Sequence, residues 1–160
     1  MLTVAKFGGS SVANATNISR VLDIAFEAAA SDRVVLVCSA ISGCTDALIS
    51  RQGFDEVRSR HEAIIDRLFT GEERLQSREI FGEQFRRMLE APDGQRETFG
   101  EIFSTLIIAQ KMRCEGWNAE WLDSRALVRL EGGKLDEELT YRNIREEVSY
   151  SPEARIFVAP

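Results

Sequence analysis

A parallel α/β sheet is the architecture that this sequence predicts, and three observations carry the expectation. The chain opens on four mostly apolar, strand-forming residues, Leu2 to Ala5, that run into Lys6 and a glycine pair. Further on, Arg33 to Ser39 is a continuous β-branched and apolar run, the pattern of a strand covered on both faces. Between them Ile18, Val21, Leu22, Ala25 and Ala29 recur at helical spacing, and Ser31-Asp32 ends the helix. Strand, helix of about four turns, and buried strand make a βαβ unit, whose crossover is right-handed.

The remaining elements follow in order. Phe54 to Leu89 is charged and helical: Val57, His61, Ile64, Ile65 and Leu68 form one stripe, Ile80, Phe81, Phe85, Met88 and Leu89 another, and Thr70-Gly71 separates them. This reads as a helical insertion covering one side of the sheet, with a lid as one of its roles, and His61 reads as a packed residue. Thr98 then begins a helix that stops at Gly116. Trp117 to Leu122 alternates toward a strand, Asp123 to Arg125 turns, Gly132-Gly133 reads as a loop, Glu137–Val148 as a helix, and Arg155 to Ala159 as another buried strand.

Composition narrows the function. With 160 residues, 44% hydrophobic and 29% charged, the chain is one ordinary globular domain or part of one. A net charge of −6 argues against nucleic-acid binding, which needs a basic face. Three cysteines without C-x-x-C spacing suggest reduced thiols and a cytoplasmic location. One histidine and no Cys/His cluster predict no metal site. No apolar run approaches membrane-spanning length, so no membrane partner is expected.

Three loci carry chemistry. Lys6, Gly8, Gly9 and Ser10 form a strand–turn–helix entry, which is either an anion seat or a plain tight turn. As an anion seat, its N–H groups and the helix N-terminus face a phosphate beside the lysine charge. Ser39, Ser42, Gly43, Thr45 and Asp46 crowd the end of the second strand. Thr45 or Asp46 caps a helix there, or the cluster contacts a ligand on the rim that the first turn shares. Thr98 and Glu101 match a capping box, so Glu101 either bonds its own helix start or faces a ligand.

Four stretches in register resolve these alternatives by resemblance. Lys6 to Val12, Val37 to Leu48, Phe99 to Leu106 and Ala119 to Arg125 together resemble the signature segments of aspartokinases, in the amino acid kinase family. The resemblance implies a three-layer αβα sandwich with a mostly parallel sheet, incomplete here, with the helical insertion at 54–92. It implies transfer of the ATP γ-phosphoryl group to the side-chain carboxylate of L-aspartate, the first step toward lysine, threonine and methionine. ATP and Mg2+ are the expected cofactors, and a homo-oligomer is the expected full-length state. Lys6 would contact the transferring phosphoryl group, Gly8, Gly9 and Ser10 would cradle phosphate, Ser39 and Thr45 would line the aspartate pocket, and Glu101 would receive the α-ammonium. Ser10 stands where many relatives have threonine. The family's pattern continues past the last residue with a G-F-x-G loop, a G-R-G-G-S-D segment carrying an arginine and a catalytic aspartate, the nucleotide-binding half, and usually a pair of ACT regulatory domains. The 160 residues are therefore expected to be the N-terminal part of a catalytic domain, inactive alone, with the insertion somewhat like that of the bifunctional aspartokinase–homoserine dehydrogenases. A glutamate- or acetylglutamate-type kinase and a non-catalytic association domain are the alternatives.

Overall fold

The computed structural model describes all residues, Met1–Pro160. Its elements run β1 (Leu2–Phe7), α1 (Ala15–Ala29), β2 (Arg33–Cys38), α2 (Cys44–Ser50), α3 (Phe54–Leu68), α4 (Gly71–Glu90), a 3-10 turn at Arg96–Thr98, and α5 (Phe99–Cys114). They continue with β3 (Ala119–Trp121), α6 (Ser124–Leu127), β4 (Leu130–Glu131), β5 (Lys134–Leu135), α7 (Glu137–Tyr150) and β6 (Ile156–Ala159). The main sheet has the order β1-β2-β6-β3, and every pair is parallel. The expected βαβ unit is present, with Val4 beside Val35 and Lys6 beside Val37. Lys6 is the penultimate residue of β1, at the strand's end as expected. The Gly132-Gly133 loop is in fact the turn of a two-residue hairpin, both glycines at positive φ, closing β4 on β5.

Strand alternation divides the side chains between two cores. Val34, Leu36 and Cys38 of β2 and Ile156 and Val158 of β6 face the larger core, which α1, α3, α4 and α5 complete. Val35, Phe157 and Ala159 face the other way, onto Leu122, Leu127 and the Ile144 and Val148 face of α7. Helices therefore cover both faces, and the sandwich is three-layered. Arg33 ties the second face down: its guanidinium donates to the carbonyls of Ala154, Val148 and Ser151 and lies 5.0 Å over the Phe157 ring. β1 stays open on this side, with Leu2 53% and Val4 66% exposed.

The insertion is a wall, and the lid expected of it is not what the structure shows. Phe81, Phe85 and Met88 of α4 and Val57, Ile64 and Ile65 of α3 are buried in the same core as the sheet. Elements with that much apolar area buried do not swing open. His61 is packed as expected. It is fully buried, donates from Nδ1 to the Val57 carbonyl at 2.7 Å, stacks 5.3 Å from the Phe81 ring and meets the Phe103 ring edge-on at 5.3 Å.

Candidate active site

Three signature segments meet at the carboxyl end of the sheet, and two glycines show how closely. A Cβ on Gly9 would sit 2.7 Å from the Ala40 carbonyl oxygen and 3.3 Å from the Ser42 nitrogen. A Cβ on Gly100 would sit 2.8 Å from the Ala40 Cβ and 3.3 Å from the Cys44 sulfur. The Ser39–Asp46 loop is thus clamped between the first turn and the start of α5. Gly9 uses its missing side chain to seat one loop on another, whereas Gly8 faces open space.

The first turn is also less simple than strand, turn and helix start. Ser11 donates to the Gly8 carbonyl at 2.9 Å, and α1 begins four residues later. Asn14 caps it by accepting from the Asn17 N–H at 2.9 Å, while the Asn17 amide donates to the Ser10 carbonyl at 2.8 Å. The helix start is therefore partly satisfied by its own cap and is set back from Gly8 and Gly9. Lys6 is exposed. It lies on the pleat opposite Ala5 and Phe7, whose side chains pack on the larger core.

Neither local explanation for the second and third loci holds. The N-cap of α2 is Gly43, at φ 77°, with no side-chain bond to the helix, so Thr45 and Asp46 do not cap it. The capping box of α5 is not formed: Thr98 has helical φ −67° and ψ −18°, and its side chain makes no cap bond. Its hydroxyl instead donates to the Gln95 carbonyl at 2.7 Å. The reason is the preceding 3-10 turn, which runs straight into α5 and denies Thr98 the extended backbone that an N-cap needs.

Glu101 is half-buried and lines a cleft of about 370 Å³ with Thr45, Thr98, Ser124 and Arg125. Its main chain is held firmly. The Thr105 hydroxyl donates to the Glu101 carbonyl at 2.6 Å and accepts from the Trp121 indole at 2.9 Å. The Ser104 hydroxyl lies 3.1 Å from that same carbonyl and donates to the Ser39 carbonyl at 2.8 Å. Ser104 therefore ties the Ser39 loop to the turn that carries Glu101. The Ser39 N–H in turn donates to the Phe7 carbonyl at 3.0 Å, which places Ser39 beside the end of β1.

The charges around the cleft are arranged as well. Burial pushes the Cys44 thiol up to about 12, with Arg60 opposing and Glu101 adding to the rise. Arg60 donates to the Ser42 carbonyl at 2.8 Å. Arg125 donates to Asp123 through Nε at 2.9 Å and Nη2 at 2.6 Å, and this pairing holds the Asp123 carboxyl below the usual carboxylate range. Sequence reasoning did not single out Ser104, Asp123 or Arg125; each sits inside a stretch quoted for its resemblance, but its partners are distant in sequence or differ only in geometry. Thr45 and Glu101 are brought together in one cleft. Lys6, Gly8, Gly9 and Ser10 line the same rim of the sheet but not that cleft; Ser10 borders a separate groove with Asn17 and Arg20. No group of three or more His, Cys, Asp or Glu side chains is placed to hold a metal ion, and no helix is long and apolar enough to cross a membrane.

A parallel sheet covered on both faces by helices, with Gly-rich and hydroxyl-rich loops gathered at its carboxyl end, defines a three-layered α/β domain. A family model described as the amino acid kinase family matches residues 1–156, and the chain belongs to that family. Lysine-sensitive aspartokinase 3 of Escherichia coli K12 is 31% identical over 146 residues, covering 80% of this chain and 32% of that protein. The E. coli aspartokinase III structure with lysine and aspartate superposes with a TM-score of 0.83 at 22% identity, over 99% of this chain and 40% of that one. The Clostridium acetobutylicum aspartate kinase structure gives 0.74 at 23% identity, over 99% and 38%. The fold is that of the aspartokinase structures, and the chain spans about a third of the length of the curated relative it matches.

Proposed function

We propose that the chain forms the acceptor-binding part of an aspartate kinase, which transfers the γ-phosphoryl group of Mg-ATP to the side-chain carboxylate of L-aspartate and yields 4-phospho-L-aspartate. The observation that carries this reading is Glu101: a carboxylate free of the cap it could have made, at the head of a rigid helix, lining a cleft with Thr45. Such a group accepts a charge-assisted bond from an α-ammonium, which selects a free amino acid over a plain dicarboxylate and over an N-acylated one. Thr45 and Ser39 supply hydroxyls for the acceptor. Lys6, paired with Val37 two residues before Ser39 on the β1–β2 ladder, supplies a mobile cation at the rim where phosphoryl charge builds up, and the Gly8, Gly9 and Ser10 main chain follows it. Mg-ATP enters as co-substrate, and most of its site falls to residues other than these.

A relative supports the reading: one E. coli aspartokinase III structure contains aspartate and ADP. On the same reading the 160 residues bind aspartate but do not turn over alone. The test is a nuclear magnetic resonance titration of the chain with L-aspartate, with N-acetyl-L-glutamate as control. Shifts at residues 39, 45 and 98–102 with aspartate alone, abolished by Glu101→Gln, are the expected result. Equal response to the acetylated ligand, or none to either, overturns it. In a catalytically competent protein carrying this chain, Lys6→Ala lowers kcat by ~100- to 1000-fold with modest change in the aspartate KM, the usual loss for one well-placed stabilising group. A near-normal kcat refutes the role of Lys6.

A further inference from the structure

We propose that Arg60, a side chain of the helical insertion, is a positioning residue of the acceptor site: it fixes the Ser42-Gly43 turn and, through it, the start of α2 where Thr45 stands. The inference rests on the aspartate reading above and adds a residue that acts on the substrate through another. The loop after β2 is held unevenly. Its near end is tied by the Ser104 bond to the Ser39 carbonyl and by the Ser39 bond to Phe7. At its far end Gly43 sits at φ 77° and gives α2 no side-chain cap, and α2 is seven residues long. A helix so short, begun without a cap, does not fix its own first turn.

Arg60 is the side chain that holds this end. Its Nη2 donates to the Ser42 carbonyl at 2.8 Å, from 18 residues away in sequence. Its Nη1 lies 3.7 Å from the place that a Cβ on Gly43 would take. The guanidinium therefore rests along the turn, and a bond from a charged donor is stronger than one between neutral groups. The helix that carries Arg60 does not give way, because Val57, Ile64 and Ile65 of α3 are buried in the larger core. The next residue along α3, His61, meets the ring of Phe103 at 5.3 Å, and Phe103 lies one helical step past Glu101 and Ile102 on α5. Successive residues of a helix point about 100° apart. One side chain of α3 thus braces the Thr45 loop and the next braces the Glu101 helix. The separation of that hydroxyl from that carboxylate, which decides whether one amino acid can span them, is set from the insertion.

The test reads the turn and the ligand separately, by nuclear magnetic resonance titration of the 160-residue chain. Arg60→Met keeps the apolar stem and removes the donors. It is expected to weaken L-aspartate by about 10-fold, the scale of one hydrogen bond from a charged group, because the competent turn is then only fractionally populated. In the ligand-free variant the amide signals of residues 42–46 shift and broaden, while those of 104–108 keep their wild-type positions. Arg60→Lys, which keeps the charge without the fork, restores part of the affinity. Arg60 also lines an open groove of about 250 Å³ between α1 and α3, so a small cation can reach the place that Arg60→Ala vacates. Millimolar methylguanidinium restores affinity there, and more of it than methylammonium does. A brace that served stability alone would move the melt and leave the affinity of the folded protein unchanged. An Arg60→Met variant that binds aspartate as the wild type does, or a loss that neither Arg60→Lys nor methylguanidinium recovers, overturns the assignment. If Arg60→Met does not fold, Arg60→Lys must still bind more weakly than the wild type, and equal affinity overturns it. If Glu101→Gln abolishes binding while the Arg60 variants leave it unaltered, the aspartate reading stands without Arg60. If the wild type binds no aspartate, that reading fails and the assignment fails with it.

Discussion

His61 makes the stability of this domain depend on pH in a way that can be calculated in advance. The ring is fully buried, its Nδ1 is bonded to Val57, and its Nε2 has no partner. Burial among Phe81 and Phe103 pushes its pKa from 6.5 down to about 4; the Val57 bond opposes that and the nearby Arg60 charge adds to it. Because the folded pKa is the lower one, the unfolded chain binds the extra proton as pH falls. Stability is therefore complete above about pH 6.5 and is lost progressively until about pH 4, where the folded ring protonates as well. Between pH 8 and pH 5 the linkage amounts to about 2 kcal/mol, at about 1.4 kcal/mol for each unit of separation. His61→Phe fills the same space, removes the titration and removes the orphaned Nε2, while giving up the Val57 bond. Urea unfolding of wild type and variant at pH 8, 6 and 5 is the assay. Carboxylates titrating in both proteins cancel in the difference. The variant should gain on the wild type by about 2 kcal/mol between pH 8 and pH 5. Parallel loss in the two proteins would show that His61 titrates normally, and the burial argument would be wrong.

Other consequences follow from the packing. Gly9→Ala puts a methyl against a main-chain oxygen that cannot rotate away, and should cost about 1–3 kcal/mol in thermal or urea unfolding; an unchanged midpoint means that the two loops are not seated as described. Ser104→Ala leaves the Ser39 carbonyl without its donor, costs about 1–2 kcal/mol, and should weaken aspartate more than the melt alone explains; unchanged affinity separates Ser104 from the site. Cys38 and Cys44 are buried with thiols raised to about 12, so one exposed thiol, Cys114, should react with a disulfide reagent at pH 8 and the other two only after denaturation. β1 offers a paired strand on one side and an open edge on the other, with Leu2 and Val4 exposed, so the chain should self-associate as its concentration rises; sedimentation velocity checks this, and Val4→Lys should shift the equilibrium toward monomer.

Much of the fold was legible because its causes are local. The apolar run from Arg33 to Cys38 can be little other than a two-sided buried strand, and the stripe from Ile18 to Ala29 needs only helical periodicity. Glycine stops and hydroxyl-rich turns marked the boundaries. The hairpin around Gly132-Gly133 escaped because its strands are two residues long, too short for alternation to register. The lid assigned to the insertion failed for another reason: charge along α3 and α4 says that one face is wet, but not how deeply the other is buried.

The site divides along the same line. Sequence by itself determined which residue types are available: a lysine at a strand end, glycines in the turn after it, hydroxyls after the second strand, a carboxylate in the first turn of a helix. Tertiary structure alone decided what each is free to do. The capping box written into Thr98 and Glu101 is cancelled by the incoming 3-10 turn, and the carboxylate is left for the cleft. Gly9 and Gly100 turn out to be required by the Ala40 loop lying against them. Ser104, Asp123 and Arg125 acquire their meaning from partners that the chain brings in from elsewhere or from a turn whose shape is set by β6. A pattern along the chain can name a donor or an acceptor; whether it is already spoken for depends on distances of about 3 Å that only the folded chain sets.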